Sequence, residues 1–273
     1  MSEYLIQDTT LSAIADAIRA KTGTAEQLTP EQMIAAITNI QSGGGGDDSN
    51  YKEFVERTTA NPTLPSDLTK IVDYAFYEFH SLALTFLPTG VTSIGTYAFY
   101  NCKNLALASI PAGVTSIGIS AFANCSKLAL TSLPTGVTSI NDSTFFHCTS
   151  LALTSLPTGV TSIGNNAFDS CSTLALTSLP AGITSIGNRA FYYCYKLALT
   201  SLPAGLQIIK DYAFSVCTGL TSITFEGTPR SIGSCFGNCS NLTTINVPWA
   251  EGAVSGAPWG AKNATINYNY TGE

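Results

Sequence analysis

Leu151-Ala152-Leu153-Thr154-Ser155-Leu156-Pro157-Thr158-Gly159-Val160-Thr161-Ser162-Ile163-Gly164-Asn165-Asn166-Ala167-Phe168-Asp169-Ser170-Cys171-Ser172-Thr173 is one copy of a unit that fills about two thirds of the chain. Phe76, Phe99, Phe122, Phe145, Phe168, Phe191 and Phe214 recur every 23 residues. Pro88, Pro111, Pro134, Pro157, Pro180 and Pro203 keep the same step, as do Cys102, Cys125, Cys148, Cys171, Cys194 and Cys217. A last copy runs one residue short and ends on Phe236 and Cys239. Within a copy, Val160, Ile163, Ala167, Phe168, Cys171, Leu174, Leu176 and Leu179 form a set that can point inward together. A lone coil of this size buries too little apolar surface to offset the entropy of ordering its chain. Stacked coils cover each other's flanks and share ladder hydrogen bonds, so only the stack is stable.

A fixed period between 20 and 29 with Leu-rich spacing marks a leucine-rich repeat. The tail I-G-x-x-A-F-x-x-C resembles the BspA-like, 23-residue class, over roughly residues 64–247 and eight coils. That resemblance implies a repeat solenoid: a β-rich, right-handed superhelix with parallel sheet. It also implies a surface or adhesion protein, and it carries no catalytic residue to transfer.

The flanks read differently. Leu11, Ile14, Ala15 and Ile18 recur at helical spacing, with Gly23 as a stop signal. Thr29-Pro30-Glu31-Gln32 then makes a helix start, and Met33, Ile34, Ile37 and Ile40 give the second helix its apolar face. Residues 1–42 are thus expected to form a small α-helical hairpin for attachment or oligomerisation. Residues 43–50, opening with Gly43-Gly44-Gly45-Gly46, read as a flexible linker. The solenoid is expected over 51–247, its N-terminal cap included, and a C-terminal cap over 248–273. There Trp249 and Trp259 would cover the final coil, and the period-two alternation of 264–270 reads as a last strand. Segments Leu11–Gly23 and Leu28–Ile37 also resemble parts of phage and prophage tail-associated proteins.

Charge excludes one class of partner. The chain carries −6 overall with only 11% charged residues. Twelve acids and five bases leave residues 1–80 at −7, and the rest is near neutral at +1. Such a body offers no basic stripe for phosphates, so nucleic acid is not an expected partner. The start has no basic n-region or apolar run of signal-peptide length, and no stretch reaches bilayer-spanning length, so no membrane insertion is expected.

Candidate chemistry is thin. Six cysteines at one repeat position should form a buried ladder of reduced thiols rather than disulfides. Cys217, Cys235 and Cys239 lack a nearby fourth ligand for zinc, so neither metal nor cofactor is expected. His147 follows Asp142 and Ser143 in its coil, the nearest approach to a catalytic constellation; His80 sits beside the Cys position of another. Neither supports an enzyme, and no catalytic residue is assigned.

What varies among copies is more telling. Between Phe and Cys the pairs run Tyr77-Glu78, Tyr100-Asn101, Ala123-Asn124, Phe146-His147, Asp169-Ser170, Tyr192-Tyr193 and Ser215-Val216. Identical spacing puts them in one longitudinal stripe, with Tyr195 just past a Cys position. Aromatic area mixed with Asn, Ser and His suits adaptable recognition. Tyr77, Tyr100, Asn101, Phe146, His147, Asp169, Tyr192, Tyr193 and Tyr195 are therefore the candidate ligand-binding residues. The expected function is non-enzymatic binding: a phage receptor-binding or tail-associated protein of the virion recognising a host-surface protein or glycan. The hairpin would join other virion or surface components or a second copy. The alternative is a BspA-like adhesin at the bacterial cell surface.

Overall fold

In a computed structural model of the chain, the described residues are 60–64 and 66–272. The expected hairpin and linker, and the first part of the N-terminal cap, lie outside them. The coils contribute short strands: β1 (Lys70–Ile71), β2 (Ser93–Ile94), β3 (Ser116–Ile117), β4 (Ser139–Ile140), β5 (Ser162–Ile163) and β6 (Ser185–Ile186). Then follow β7 (Ser201–Leu202), β8 (Ile208–Ile209), β9 (Ser222–Phe225), β10 (Ser231–Ile232), β11 (Thr244–Asn246) and β12 (Thr265–Asn267). All pairings are parallel, in three sheets: β1-β2-β3, β4-β5-β6-β8-β10 and β7-β9-β11-β12. Strand partners stand 23 apart in the repeats, as Ser162↔Ser185 and Ile163↔Ile186 do. This is the parallel-sheet solenoid of about nine turns that the period calls for, and no helix occurs among the described residues.

The whole inward set is buried, from Val160 at 0% exposure to Leu179 at 8%. Phe76 to Phe236 stack ring on ring, with centroids 5.0–5.7 Å apart and near-parallel planes. Beside them each ladder cysteine donates its S–H to the carbonyl of the preceding coil's Phe: Cys125 to Phe99 and Cys171 to Phe145, both at 3.0 Å. All eight cysteines are buried thiols, and burial pushes seven of them up, Cys239 to about 11.

Two details explain positions the repeat holds constant. Exposed Thr92, Thr161 and Thr184 each donate a hydroxyl hydrogen to the carbonyl of the Thr one coil back, at 3.1–3.3 Å. Gly164 follows its strand because a Cβ there would strike the carboxylate and backbone N of Asp142. Where Asn141 replaces that glycine, β3 and β4 do not pair as strands. The Asn141 side-chain amide instead donates to the Ile117 carbonyl at 2.6 Å and bridges the break.

The C-terminal end closes on the coil above it. β12 extends the sheet from β11, and Trp249 and Trp259 bury against Phe225, with ring centroids 5.3 and 5.8 Å away. No helix among the described residues is long and apolar enough to cross a membrane.

Candidate binding groove

Each coil turns sharply around its Phe, and the turn is dictated by the ladder. Phe99 N–H donates to the Ala121 carbonyl and Asn101 N–H to that of Ala123, while Cys102 N–H closes a turn onto Phe99. To do this, the residues two before and two after the Phe take left-handed backbone. Tyr97, Ser120, Ser143, Asn166 and Arg189 have φ of 52–54°, and Asn101, Asn124, His147, Ser170 and Tyr193 have φ of 56–62°. Gly and Asn suit that conformation; most other L-residues are disfavoured there by roughly 1–2 kcal/mol. This chain nonetheless puts Tyr, Arg, His and Val in those two columns.

The turns line a groove of about 530 Å³. Three columns face it: Tyr97, Ser120, Ser143, Asn166 and Arg189; then Tyr100, Ala123, Phe146, Asp169 and Tyr192; then His147, Ser170 and Tyr193. The middle column alternates. Tyr100, Phe146 and Tyr192 stand up half-buried, while between and after them Ala123 (1% exposed), Asp169 (5%) and Ser215 (2%) are buried. Small side chains sink between large neighbours, so the groove is toothed and its small residues are covered.

Of the sequence candidates, Tyr100, Phe146, His147, Asp169, Tyr192 and Tyr193 line the groove. Tyr77 lies outside it, stacked on Tyr100 at 5.0 Å. Asn101 is not in the lining either; its carbonyl accepts from His80 Nδ1 at 2.9 Å. Tyr195 is exposed and 5.8 Å from Tyr193, beyond the rim. The stripe is thus not uniformly solvent-facing: Asp169, expected at an open turn, forms a floor. Burial raises its carboxyl above the ordinary range, against the Ser170 hydroxyl and the charges of His147 and Arg189. Ser170 Oγ donates to Asp169 Oδ1 at 2.7 Å.

The Asp142-Ser143-His147 constellation does not assemble. Asp142 takes the Asn165 backbone N–H at 2.7 Å and its side-chain amide at 3.0 Å, bracing the next coil. Among the described residues no three His, Cys, Asp or Glu side chains converge as metal ligands. The column from Tyr97 to Arg189 precedes the Phe and so lies outside the variable pairs that follow it. The second x of I-G-x-x-A-F varies as freely and carried the same signal. Arg189 is held there with its guanidinium 5.3 Å from the Tyr192 ring centroid and 5.7 Å from that of Tyr212.

The family profile "BspA type Leucine rich repeat region" matches residues 50–175 and 144–251, in six copies. No curated protein matches. Among solved structures, a leucine-rich cell surface protein of Faecalibacterium prausnitzii A2-165 is 28% identical with a TM-score of 0.52, covering 66% of this chain and 59% of its own. A leucine-rich repeat protein of Bacteroides ovatus ATCC 8483 is 27% identical with a TM-score of 0.55, covering 70% of this chain and 56% of its own. This chain thus spans under two thirds of either relative. The family match begins at residue 50 and lends no support to the tail-protein resemblance of residues 11–37.

Proposed function

Because the chain belongs to the BspA-type leucine-rich-repeat family, we propose that it is a non-enzymatic binding module of the cell-surface adhesin kind, which recognises a surface-borne protein or glycan through its toothed groove. One observation carries this reading. The columns that vary from coil to coil converge on one groove, and they hold bulky residues in backbone conformations where such residues are disfavoured. Strain kept at variable positions points to use rather than packing. Aromatic teeth with polar groups between them are the material of an interface anchor. The cell-surface relative from F. prausnitzii supports the location, and the scaffold character of the repeat supports binding over catalysis.

The test is binding of fluorescent full-length chain to epithelial and bacterial cells. Replacing Tyr192 and Tyr193 together by Ser should lower binding at least tenfold, equivalent to about 1.4 kcal/mol. Thr161→Lys, at an exposed position outside the groove lining, should leave it intact. Normal binding by the double variant with loss in Thr161→Lys would place recognition elsewhere and refute the reading. A phage tail-associated role remains the alternative. It rests on residues 11–37 alone, and tail and lysis genes beside this one would favour it over surface-protein genes.

A further inference from the structure

We infer that the chain pairs with a second copy of itself through the open edge of β12, the two strands running antiparallel about a two-fold axis at Ile266. This goes beyond the binding-module reading and stands independently of it.

The edge is open in its backbone. β12 is bonded on one side only, to β11. Thr265 N–H donates to the Thr243 carbonyl, and the Asn267 carbonyl accepts from Val247 N–H, so these two residues turn their main-chain groups toward β11. Successive residues of a strand aim those groups to opposite sides. Ile266 N–H and C=O, Tyr268 N–H and the Ala264 carbonyl therefore face outward, and none of them has a partner among the described residues.

The edge is also bare in its side chains. Ile223 and Ile245, at one register position of β9 and β11, are 1% and 0% exposed, each covered by the coil that follows it. Ile266 is next in that row; it packs on the core and is only half-buried. Open edge strands are ordinarily blunted by charge or proline. β1 carries Lys70 where the repeats have Ser, and Arg230 precedes β10, each strand being at the edge of its own sheet. From Ala264 to Tyr270 there is neither charge nor proline.

Self-complementarity names the occupant. Two copies of one edge close into a dimer about a two-fold axis, which makes the paired strands antiparallel. Centred on Ile266, the pairing lets each Ile266 exchange both main-chain bonds with its counterpart, while Tyr268 N–H of each copy reaches the Ala264 carbonyl of the other. On the core face Ile266 meets Ile266, and Ala264 meets Tyr268, small against large. On the other face Thr265 lies opposite Asn267. Asn246 donates its side-chain amide to Thr224 Oγ1 at 3.1 Å, and Asn267 donates to Asn246 Oδ1 at 2.8 Å, so a polar ladder climbs the sheet. It ends on Asn267 Oδ1, which takes no donor among the described residues, and the Thr265 hydroxyl of a second copy supplies one. No like charges meet, and the sheet β7-β9-β11-β12 runs on into its copy. The contact is short beside a standard protein interface, so the dimer is weak and forms with rising concentration.

The test is sedimentation equilibrium of the full chain under reductant, from micromolar to millimolar concentration. The parent should pass from one copy to two and stop there. Thr265→Lys and Asn267→Glu each change an exposed side chain outside the core, so both variants should melt close to the parent. Each sets like charges across the axis, and the change enters twice by symmetry, so each should weaken dimerisation about tenfold. Mixed in equal amounts, the two variants should recover the parent's association, because the new lysine then lies opposite the new glutamate. A parent that stays monomeric throughout or grows past two copies overturns the proposal. So does a dimer indifferent to both substitutions, as association through residues 1–42 would be, or a mixture that fails to recover.

Discussion

Raising the pH should unfasten this solenoid through its cysteines. In the ladder, Cys125, Cys148, Cys171, Cys194, Cys217 and Cys239 each donate S–H to a Phe carbonyl one coil back, at 3.0–3.1 Å. A thiolate cannot donate, and burial among Phe and Leu penalises its charge, so each folded pKa lies above the ordinary 9.0. The folded state therefore keeps protons that the unfolded state releases. Their stabilisation is present in full below pH 9 and is lost progressively as pH rises from there toward the folded values. At pH 10 an ordinary thiol in the unfolded chain gains about 1.4 kcal/mol by ionising, so six together remove about 8 kcal/mol. That is of the order of a whole domain's stability. The assay is urea unfolding under reductant at pH 7.5 and 10, for the parent and for Cys171→Ala. At pH 7.5 the variant should be less stable by about 1–2 kcal/mol, from the lost contacts and hydrogen bond. On moving to pH 10 the parent should lose about 1.4 kcal/mol more than the variant, since other titrating groups cancel in the difference. Equal pH dependence in the two proteins would refute the argument.

Backbone strain and the tether can be tested alongside. Val216 is β-branched at φ 62°, while Asn101 and Asn124 fill the same column at 61° and 62°. Val216→Asn should therefore raise stability by about 1 kcal/mol, or roughly 2–4 °C in melting temperature for a body of this size; no gain would show that Val216 is unstrained. Residues 51–273 expressed alone should melt near the full-length temperature, because few contacts are expected to cross the Gly43–Gly46 run. A large loss would make residues 1–42 part of the solenoid's cap.

The periodic part of the molecule was legible because one coil answers for all. Phe168 and Leu174 recur in every copy, and Cys171 in all but the first, where Phe79 stands, so burying them once buries the series. Departures from the period were harder to read. Asn141 looks like routine variation for Gly, yet at its junction β3 and β4 do not pair as strands and its amide bridges the coils instead. Asp169 reads as a surface residue because most aspartates are, yet it is buried, in a column where Phe146 and Tyr192 hold the adjacent coils. Thr161 is exposed yet constant because its hydroxyl donates to the Thr138 carbonyl one coil back, a contact that residue type alone does not announce. A sequence shows which positions vary but not which neighbour shades them.

The rungs that join coils link residues 23 to 26 apart and recur along the stack, the Asn141 junction excepted. At the level of the gene, that makes the copies interchangeable. The 13 residues Leu128–Ile140 and Leu151–Ile163 are identical, so unequal exchange between them would excise 23 residues, Asn141 and its bridge among them, and restore Gly after the strand. The deletion would remove Phe146 and bring Ala123 next to Asp169 in the middle column. Duplication would add a second tooth of the same kind. The lining of the groove can thus be rewritten by recombination within the coding sequence, in whole coils, while the core is left in register.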